Sequence, residues 1–276
     1  MSKPTRPVLV TGASGALGRQ CAEYLSGLGW DLRLTDITPF EGSLPNAEFI
    51  RADLRDGVAI LRMAEGCGTI LHFGAVAAEA AFATVLGPNI EGLYYIYEAA
   101  RRERARVIFA SSNHSIGFHE VEEPIDADCS FMPDTYYGLS KAYAELMGRM
   151  YWMKHGVENA NLRIGSCYPE PENARHLATW LSYGDLNRFC VKATLAERVG
   201  HCVVWGVSNN SRNTYWKGDH RARIGWQPED SADMYADRVG NLVSPDPIAR
   251  RYQGGPYPAM EYTRQTPAPR DPFALG

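Results

Sequence analysis

The sequence predicts an α/β fold in which helices cover both faces of a doubly wound parallel sheet, with a small C-terminal cap. Short apolar runs alternate with helical patterns through the first 166 residues, and a glycine-rich turn follows the first run. A chain of 276 residues with 45% hydrophobic composition can fill one sizeable core. Beyond residue 167 the alternation weakens, which indicates a cap rather than more sheet.

Each predicted element follows from its local pattern. The strands are short apolar runs, expected over residues 7–10, 31–36, 48–53, 69–75, 106–112, 161–166 and 201–207. The helices have apolar residues three and four apart, expected over residues 15–29, 57–65, 89–102, 137–155 and 185–198. A tail rich in proline and glycine, residues 244–276, is expected to wrap the surface or be partly disordered.

Composition excludes several classes of function. The net charge is −4 without any basic block, so a nucleic-acid partner is not expected. No apolar run approaches the roughly 18 residues of a membrane span, and no secretory signal precedes the first strand. The six cysteines form neither CxxC nor a metal-ligand spacing, so we expect reduced thiols, no metal site and a cytoplasmic protein.

The stretch TGASGALG follows the first predicted strand and opens the first helix. Gly12 permits a tight turn, Gly15 lets the backbone approach a pyrophosphate, and Gly18 lets the helix pack on the strand. This context predicts a Rossmann-type dinucleotide-binding region over residues 1–166. We expect the loop to bind the phosphates through Gly12, Ser14, Gly15, Ala16, Leu17 and Gly18.

The end of the second predicted strand favours NAD over NADP. Asp36 stands where a carboxylate meets the adenine ribose hydroxyls, and it would repel a 2′-phosphate. Ile37 rather than an arginine follows it, and alternation places Arg33 on the opposite face of the strand. Asp53 and Leu54 are expected beside the adenine; the alternative for Asp53 is a helix N-cap.

The stretch TYYGLSK contains two adjacent tyrosines followed by a lysine. Residues four apart share a helix face, so Lys141 lies beside Tyr137 and not Tyr136. An ammonium group beside a phenol is expected to pull its pKa toward neutrality, which would make Tyr137 a general base. The strand before this helix ends in Ser111 and Ser112, at the edge where such sheets carry chemistry.

The set Ser, Tyr-x-x-x-Lys behind a GxxGxxG loop resembles the extended short-chain dehydrogenase/reductase superfamily. The resemblance implies that Tyr137 is the acid/base, Lys141 binds the nicotinamide ribose and tunes Tyr137, and Ser112 polarises the reacting oxygen. Asn89 matches an asparagine that often completes a proton relay; a helix-capping role is the alternative. Tyr136 is then a neighbour that packs at the rim of the pocket.

Several stretches narrow this match to the uronate dehydrogenases, among them ASSNHSIGF, YGLSK, RIGSCYPEPENAR, ATWLS, VVWG and YQGG. The resemblance runs from about residue 7 to about residue 257. It implies oxidation of the C1 hydroxyl of cyclic D-glucuronate or D-galacturonate by NAD⁺ to an aldarolactone. Residues 167–243 would then form a small substrate-binding region that is not an independent domain.

Polar side chains beside the tyrosine suit a polyhydroxylated anion. The resemblance implies that Arg175 binds the substrate carboxylate, while Asn113, His114 and Ser166 hold ring hydroxyls or carboxylate oxygens. Arginine forms two parallel hydrogen bonds with a carboxylate, which fixes orientation. Three of these residues also have a structural alternative. His114 could be a satisfied structural histidine, Ser166 a strand-end hydroxyl bonded to the backbone, and Arg175 a surface arginine. Tyr257, after YQGG, matches an aromatic residue near the active site.

One stretch departs from the family pattern. Where the family usually reads HLGGVSVE, this chain reads HFGAVAAE, with Ala77 at the position of a substrate-contacting serine. Ala80 and Ala81 replace the arginine and proline that usually follow. A lost hydrogen bond would weaken affinity by about 1 kcal/mol, or the change signals another acidic sugar, such as a sulfonated or modified hexose.

Two other readings of the sequence stay open. A nucleotide-sugar epimerase or dehydratase shares this fold and these residues, although about 110 residues after the sixth strand is short for it. A cofactor-sensing protein without chemistry would not need Ser112, Tyr137 and Lys141 together. Aromatic and methionine residues on several faces of the helix over 137–155 predict a homodimer or a higher homo-oligomer.

Overall fold

The computed structural model of the chain describes residues 3–264, and a seven-stranded sheet forms its centre. The strands of this sheet are β1 (Val8–Thr11), β2 (Leu32–Thr35), β3 (Ala47–Phe49), β4 (Thr69–His72), β5 (Arg106–Ser112), β6 (Asn159–Ile164) and β9 (His201–Gly206). Two further strands, β7 (Ser166–Cys167) and β8 (Trp180–Leu181), pair with each other in a separate sheet.

Every neighbouring pair in the large sheet is parallel, and the spatial order is β3-β2-β1-β4-β5-β6-β9. The chain winds outward from β1 in one direction through β3, then returns to β4 and winds in the other direction. The strand order therefore reverses between β1 and β4, which is where open sheets of this type bind ligands. The predicted Rossmann-type fold is confirmed.

Helices cover both faces of the sheet. They are α1 (Ala16–Gly27), α2 (Gly57–Ala64), α3 (Phe82–Val85), α4 (Gly92–Glu103), α5 (Tyr136–His155), α6 (His176–Thr179), α7 (Tyr183–Leu195), α8 (Ala236–Val239) and α9 (Pro247–Arg251). Apolar residues of α1 and α7 pack in one core, and those of α2, α4 and α5 pack in a second core across the sheet. Within residues 3–264, every helix is too short or too polar to span a bilayer.

Local sequence fixes both ends of the longest helix, α5. The hydroxyl of Thr135 accepts a hydrogen bond from the Gly138 amide at 3.0 Å, which caps the N-terminus. Gly156 ends the helix with φ of +69°, a left-handed conformation that favours glycine. The helix therefore starts one residue before the prediction and ends at the predicted histidine.

A buried ion pair holds α5 against the sheet. Glu145 of α5 and Arg163 of β6 lie 2.8 Å apart, with their side chains 1% and 2% exposed. The hydroxyl of Ser111, on β5, donates to the same carboxylate at 2.5 Å. The next residue, Ser112, is thereby left at the end of β5 with its side chain on the other face of the strand.

The sequence missed two features. The predicted helix over 89–102 is a longer helical segment, because α3 and a π-helix at Leu86–Glu91 precede α4. Pro88 has no amide hydrogen to donate within this segment, where the wider turn occurs. Strands β7 and β8 have two residues each, which is too short for an alternating pattern to show.

The described part of the tail packs on the body of the protein. Tyr252 pairs with Glu120 in an isolated bridge, and Gln253 is fully buried. Residues 244–264 thus include segments that pack against the rest of the protein, while residues 265–276 lie outside the described part, so the expectation for the whole tail stays a prediction. The division into regions at 166/167 and 243/244 stays a prediction.

His72, at the end of β4, predicts that acid destabilises the fold. Its Nδ1 lies 2.7 Å from Thr11 Oγ1, and burial, with a smaller effect of Lys141, lowers its pKa to about 3. An unfolded histidine binds its proton near pH 6.5. The free energy of unfolding should therefore fall as pH drops from about 6.5 toward 3, by up to about 1.4 kcal/mol per pH unit.

Urea unfolding of the wild type and His72→Gln between pH 7.5 and 4.5 measures this contribution. The variant is expected to be less stable at pH 7.5 but to lose less stability on acidification. His155→Gln, at an exposed position, should keep the wild-type slope. Parallel slopes for the wild type and His72→Gln would contradict the assignment.

Candidate active site

A cavity of about 1300 Å³ opens at the carboxyl edge of the sheet. Its walls come from the glycine loop after β1, the ends of β4 and β5, the first turns of α5, and the C-terminal segments. The cavity thus lies at the reversal point of strand order and extends under the cap. It brings together sequence-predicted residues that lie far apart in the chain, including Gly15, Asp36, Ser112, Tyr137 and Arg175.

Two of the three loop glycines are required by close approach within the protein. A Cβ on Gly12, where φ is +69°, would lie 2.5 Å from the Gly74 amide nitrogen, and a Cβ on Gly18 would lie 2.1 Å from the Gly12 carbonyl oxygen. A Cβ on Gly15 would meet only the Gly12 oxygen, at 3.3 Å. Since Gly15 lines the cavity, the space it leaves open belongs to the cavity rather than to another part of the fold.

Asp36 is held at the rim of the loop. Its Oδ2 accepts from the Ser14 amide at 3.1 Å, and its Oδ1 accepts from the Thr38 amide at 3.0 Å. The side chain of Arg33 extends to the other side of β2, where it donates to the Glu65 carbonyl at 2.9 Å. The prediction that Arg33 and Asp36 lie on opposite faces is confirmed.

Asp53 lines the cavity together with Leu54 and does not cap α2. The capping residue is Asp56, which accepts from the Ala59 amide at 3.0 Å, so the N-cap alternative for Asp53 is wrong. Asp53 instead pairs with Arg55 at 2.6 Å. Hydrogen bonds from the Arg55 side chain and amide lower the pKa of Asp53, so its carboxylate is charged at neutral pH.

The two adjacent tyrosines have different environments. Tyr137 is 8% exposed and lines the cavity, whereas Tyr136 is 49% exposed and packs edge-on against Phe82. Tyr137 interacts with Ser112, whose Oγ accepts from the His114 amide at 3.2 Å. Ser112 and Tyr137 therefore lie together in the cavity, and their role as the reactive pair stays a prediction.

The expected direction of the Tyr137 pKa is wrong. Burial raises the pKa of Tyr137 above its ordinary value, and the hydrogen bond with Ser112 lowers it less. Lys141 Nζ lies 5.4 Å from the ring centroid of Tyr137 and donates to the Ala110 carbonyl at 2.7 Å. Burial also lowers the pKa of Lys141 to about 7. The spacing in the sequence predicted that both groups share one helix face, but it did not predict how deeply they are buried. Burial has the largest effect on both pKa values.

Asn89 braces a loop beside the cavity. Its Oδ1 accepts from the Val76 amide at 2.8 Å, and its Nδ2 donates to the Val76 carbonyl at 3.1 Å and to Ser140 Oγ at 2.9 Å. It caps no helix, so that alternative is wrong. These bonds tie the segment after β4 to α5; the relay role stays a prediction.

Glu79 was missed as a functional residue. Its carboxylate accepts from the Tyr137 amide at 2.8 Å and from the Tyr136 amide at 3.3 Å. A carboxylate at a helix N-terminus satisfies free amides and opposes the positive end of the helix dipole. Glu79 therefore fixes the first turn of α5, from which Tyr137 projects. It lies 57 residues before Tyr136, so no local pattern links the two.

Arg175 is built into the cavity wall on the substrate side. Its guanidinium donates to Ser166 Oγ at 3.2 Å and to the Gln253 carbonyl at 2.7 Å. Burial lowers its pKa from the ordinary arginine value. Among residues 3–264, no carboxylate forms an ion pair with it. A partly buried cation without an anionic partner is typical of a site for an anionic ligand.

Asn113 supports Arg175 from behind. It is fully buried, and one orientation of its amide makes three hydrogen bonds where the other makes one, to the Gln253 carbonyl at 3.3 Å. In that orientation Nδ2 donates to the Ile164 and Gly165 carbonyls at 3.0 and 3.2 Å, and the oxygen accepts from Arg175 at 2.9 Å. The opposite orientation would place amide hydrogens against the guanidinium. The structure therefore places Asn113 under the cation rather than at the cavity surface.

His114 stands between an acid and two tyrosines. Its Nδ1 lies 2.8 Å from Asp134 Oδ2, its ring stacks on Tyr257 with centroids 3.8 Å apart, and the Tyr137 ring meets it edge-on at 5.8 Å. Sequence reasoning identified His114 and Tyr257 but missed Asp134 and Gln253. Asp134, in the stretch PDTYYG, looked like ordinary helix-start sequence, and a backbone carbonyl such as that of Gln253 leaves no residue-type signal.

Comparisons with known proteins agree on one family. Residues 8–220 match the model of the NAD dependent epimerase/dehydratase family. A uronate dehydrogenase of Pseudomonas putida is 43% identical over 92% of this chain and 96% of its own length. Glucuronic acid dehydrogenase from Chromohalobacter salexigens has a similar structure, with a TM-score of 0.88 and 38% identity over 92% of this chain and 96% of that chain.

A further structural match comes from Agrobacterium tumefaciens. It is a point variant of uronate dehydrogenase complexed with NAD, with a TM-score of 0.88 and 39% identity. The alignment covers 94% of this chain and 98% of that chain. Since the alignments with these three relatives each extend over more than nine-tenths of the chain, they include the sheet, the cavity and the cap.

Proposed function

This chain belongs to the uronate dehydrogenase family, and on that premise we propose that it oxidises the C1 hydroxyl of cyclic D-glucuronate or D-galacturonate with NAD⁺. The product is an aldarolactone. One observation carries the choice of substrate: Arg175 is a partly buried cation without a carboxylate partner among residues 3–264, in the same cavity as Ser112 and Tyr137. A sugar bearing a carboxylate supplies the missing anion.

The residues around the loop fit NAD. The open space at Gly15 admits a pyrophosphate close to the backbone, at the N-terminus of α1. Asp36 offers a carboxylate to the ribose hydroxyls, while Asp53 and Leu54 line the end of the cavity where the adenine would lie. When bound, NAD⁺ supplies the hydride acceptor. Tyr137 and Lys141 would bind the nicotinamide ribose, at the other end of NAD.

The chain's own groups then perform the proton chemistry. The phenolate form of Tyr137 accepts the proton of the C1 hydroxyl, and Ser112 donates a hydrogen bond to the C1 oxygen and holds it beside Tyr137. Because burial raises the pKa of Tyr137, the phenolate forms more readily as pH rises. A protonated Lys141 favours the phenolate, and Lys141 loses its proton as pH rises through about 7. The ring stays closed because the reacting carbon keeps its ring oxygen, so a lactone forms.

Binding groups align C1 with this pair. Arg175 binds the carboxylate through its planar guanidinium, and Ser166 and Asn113 hold the guanidinium in place. His114 offers a ring nitrogen to a hydroxyl or carboxylate oxygen. Because both ends of the sugar are held, C1 is aligned with Tyr137 and with the cofactor, and this alignment raises the rate of the reaction.

A different acidic sugar is the second candidate, and Ala77 favours it. Ala77 lines the cavity at the position of the family serine, so one hydroxyl is missing from the wall and more room is left. A sulfonated or otherwise modified hexose would keep the interaction with Arg175 and use that room. NAD⁺ reduction at 340 nm with a panel of acidic and neutral sugars separates the two candidates.

Arg175→Gln tests the anionic substrate. We expect KM for the preferred acidic sugar to rise about 100-fold, because a charge-assisted bidentate contact is lost. NAD⁺ affinity should stay within about 2-fold of the wild type. Arg212→Gln, at an exposed position in the same C-terminal half, is the matched control. An unchanged KM in Arg175→Gln, or equal turnover of neutral hexoses by the wild type, would refute the proposal.

Tyr137→Phe tests the proton acceptor. The substitution removes one oxygen from a buried ring, so the fold should survive while kcat falls about 1000-fold or more. Tyr136→Phe removes the same oxygen from the exposed neighbour and should keep kcat within about 3-fold. The measurement is initial rate of NAD⁺ reduction with melting temperature as the control for folding. Equal losses in both variants would reject the assignment to Tyr137.

We also propose that the protein forms a homodimer through α5. Five exposed apolar side chains recur on this helix at alternating spacings of four and three: Leu139, Tyr143, Leu146, Met150 and Met153. They are between 37% and 78% exposed, and their spacing places them in one continuous stripe along the helix. A stripe of this length on a monomer exposes more apolar surface than soluble proteins usually leave uncovered.

Leu146→Glu tests this dimer. A charge at the centre of the stripe should convert the protein to a monomer at about 10 µM and leave the melting curve cooperative. Val243→Glu places the same charge at an exposed apolar position outside the stripe and is the control. Sedimentation velocity is the measurement. A wild type that is monomeric at that concentration would remove the proposal.

A reducing compartment, the cytoplasm, is the location we propose. All six cysteines are free thiols, and four of them are buried. A protein that matures in an oxidising compartment typically uses its cysteines in disulfides. Fractionation of the native cell, followed by detection of the protein in a secreted or membrane fraction, would contradict this.

A further inference from the structure

The carboxylate of Asp134 is buried just before the N-terminus of α5, although Thr135 and not Asp134 caps this helix. Its side chain is 0% exposed. A Cβ on Gly117, Gly138 or Gly254 would lie 1.9, 2.9 or 2.1 Å from one of its carboxylate oxygens. Gly117 and Gly254 therefore make room for this one group, and Gly138 makes room for it and for the His114 carbonyl, which a Cβ would approach to 2.3 Å. A buried carboxylate is costly unless its hydrogen-bonding partners are in place.

Among residues 3–264, two side chains form hydrogen bonds with this carboxylate, and the donor is defined in both bonds. The Thr135 hydroxyl donates to Oδ1 at 3.0 Å, and its own oxygen accepts from the Gly138 amide. His114 Nδ1 lies 2.8 Å from Oδ2. An ionised carboxylate only accepts hydrogen bonds, so Nδ1 must carry the proton. A neutral His114 then has a lone pair on Nε2.

The second ring nitrogen is available to a ligand. His114 lines the cavity, and none of residues 3–264 forms a hydrogen bond with its Nε2. The Tyr257 ring, stacked at 3.8 Å and inclined by 21°, fixes the plane of the imidazole. The ring can therefore neither rotate to exchange its nitrogens nor change tautomer without breaking the bond to Asp134.

We propose that Asp134 is a positioning residue that makes His114 Nε2 a hydrogen-bond acceptor for a hydroxyl of the sugar. This inference rests on the proposed function and narrows it. A lone pair on Nε2 accepts from a hydroxyl and repels a carboxylate oxygen. The sugar is thereby oriented from both ends: its carboxylate lies at Arg175, and a ring hydroxyl lies at His114.

Asp134→Asn inverts this arrangement without changing volume. Thr135 donates a hydrogen bond to position Oδ1, so the amide oxygen is expected there and the amide nitrogen faces His114. The amide then donates to Nδ1, and the ring proton moves to Nε2. His114 Nε2 thereby changes from an acceptor to a donor. It then repels the hydrogen of a sugar hydroxyl that points at it, and it attracts the sugar carboxylate to the wrong end of the cavity.

The first measurement reads the tautomer directly. Long-range ¹H–¹⁵N correlation of histidine-labelled protein shows which ring nitrogen is protonated, and His114→Phe identifies the signal among the seven histidines. At pH 8 we expect the proton on Nδ1 in the wild type and on Nε2 in Asp134→Asn. A wild-type proton on Nε2, or on both nitrogens, would overturn the proposal. This readout needs no substrate, so it stands even if no uronate is oxidised.

The second measurement reads the role in the reaction. Asp134→Asn should lower kcat/KM for the preferred uronate about 10- to 100-fold, with the melting temperature and NAD⁺ affinity near those of the wild type. Asp237→Asn removes the same charge from an exposed site and should lower nothing. For the monodeoxy-uronate that lacks the hydroxyl bound at His114, wild type and Asp134→Asn should be equal.

The outcomes separate this inference from the proposed function. Equal losses for the parent uronate and all monodeoxy analogues would indicate a purely structural effect and overturn the positioning role. A wild type that oxidises no uronate, with the expected tautomers in both proteins, would refute the substrate while supporting the control of His114 by Asp134.

Discussion

The buried ion pair between Glu145 and Arg163 is the constraint on which the active site depends. It joins α5 to β6 at 2.8 Å with both side chains almost fully buried, and Ser111 of β5 bonds to the same carboxylate. A shift of α5 along the sheet would leave a buried charge without its partner, which is strongly unfavourable. Tyr137 and Lys141 lie eight and four residues before Glu145 on the same helix face, so this pair sets their position above the end of β5.

A second set of contacts fixes the N-terminal end of α5. Thr135 caps the helix, Glu79 accepts from the first amides, and Asp134 joins the helix start to His114. These contacts reach into the segments after β4 and β5, so Tyr137 is held from both sides of the cavity. Orientation of the groups that react or bind is thereby built in before any ligand arrives, which is what catalysis by alignment needs.

Local sequence was sufficient where the chemistry needs residues at short, fixed spacings. Gly12, Gly15 and Gly18 lie within one turn and its helix, and Tyr137 and Lys141 lie one helical turn apart. Asp36 follows a strand whose alternation already separates it from Arg33. In each case the backbone geometry of one element decides where the side chains point.

The sequence was insufficient where burial or a distant segment decides the pKa or the hydrogen-bond partners of a side chain. The pKa of Tyr137 is raised rather than lowered, because depth in the fold outweighs a lysine whose ammonium bonds to Ala110. Asn113 donates to the strand carbonyls and accepts from Arg175, which burial and not local sequence decides. The carbonyl of Gln253, 78 residues after Arg175 in the chain, accepts a further hydrogen bond from the same guanidinium.

The sequence by itself determined the parallel α/β fold, the nucleotide loop, the Ser112, Tyr137 and Lys141 set and the resemblance to one enzyme family. Only the tertiary structure decided which groups are buried, which hydrogen-bond polarity each presents to the cavity, and that Asp134 stands behind His114. The reason is physical: spacing along one element is local, whereas desolvation and hydrogen-bond polarity depend on everything packed around a group.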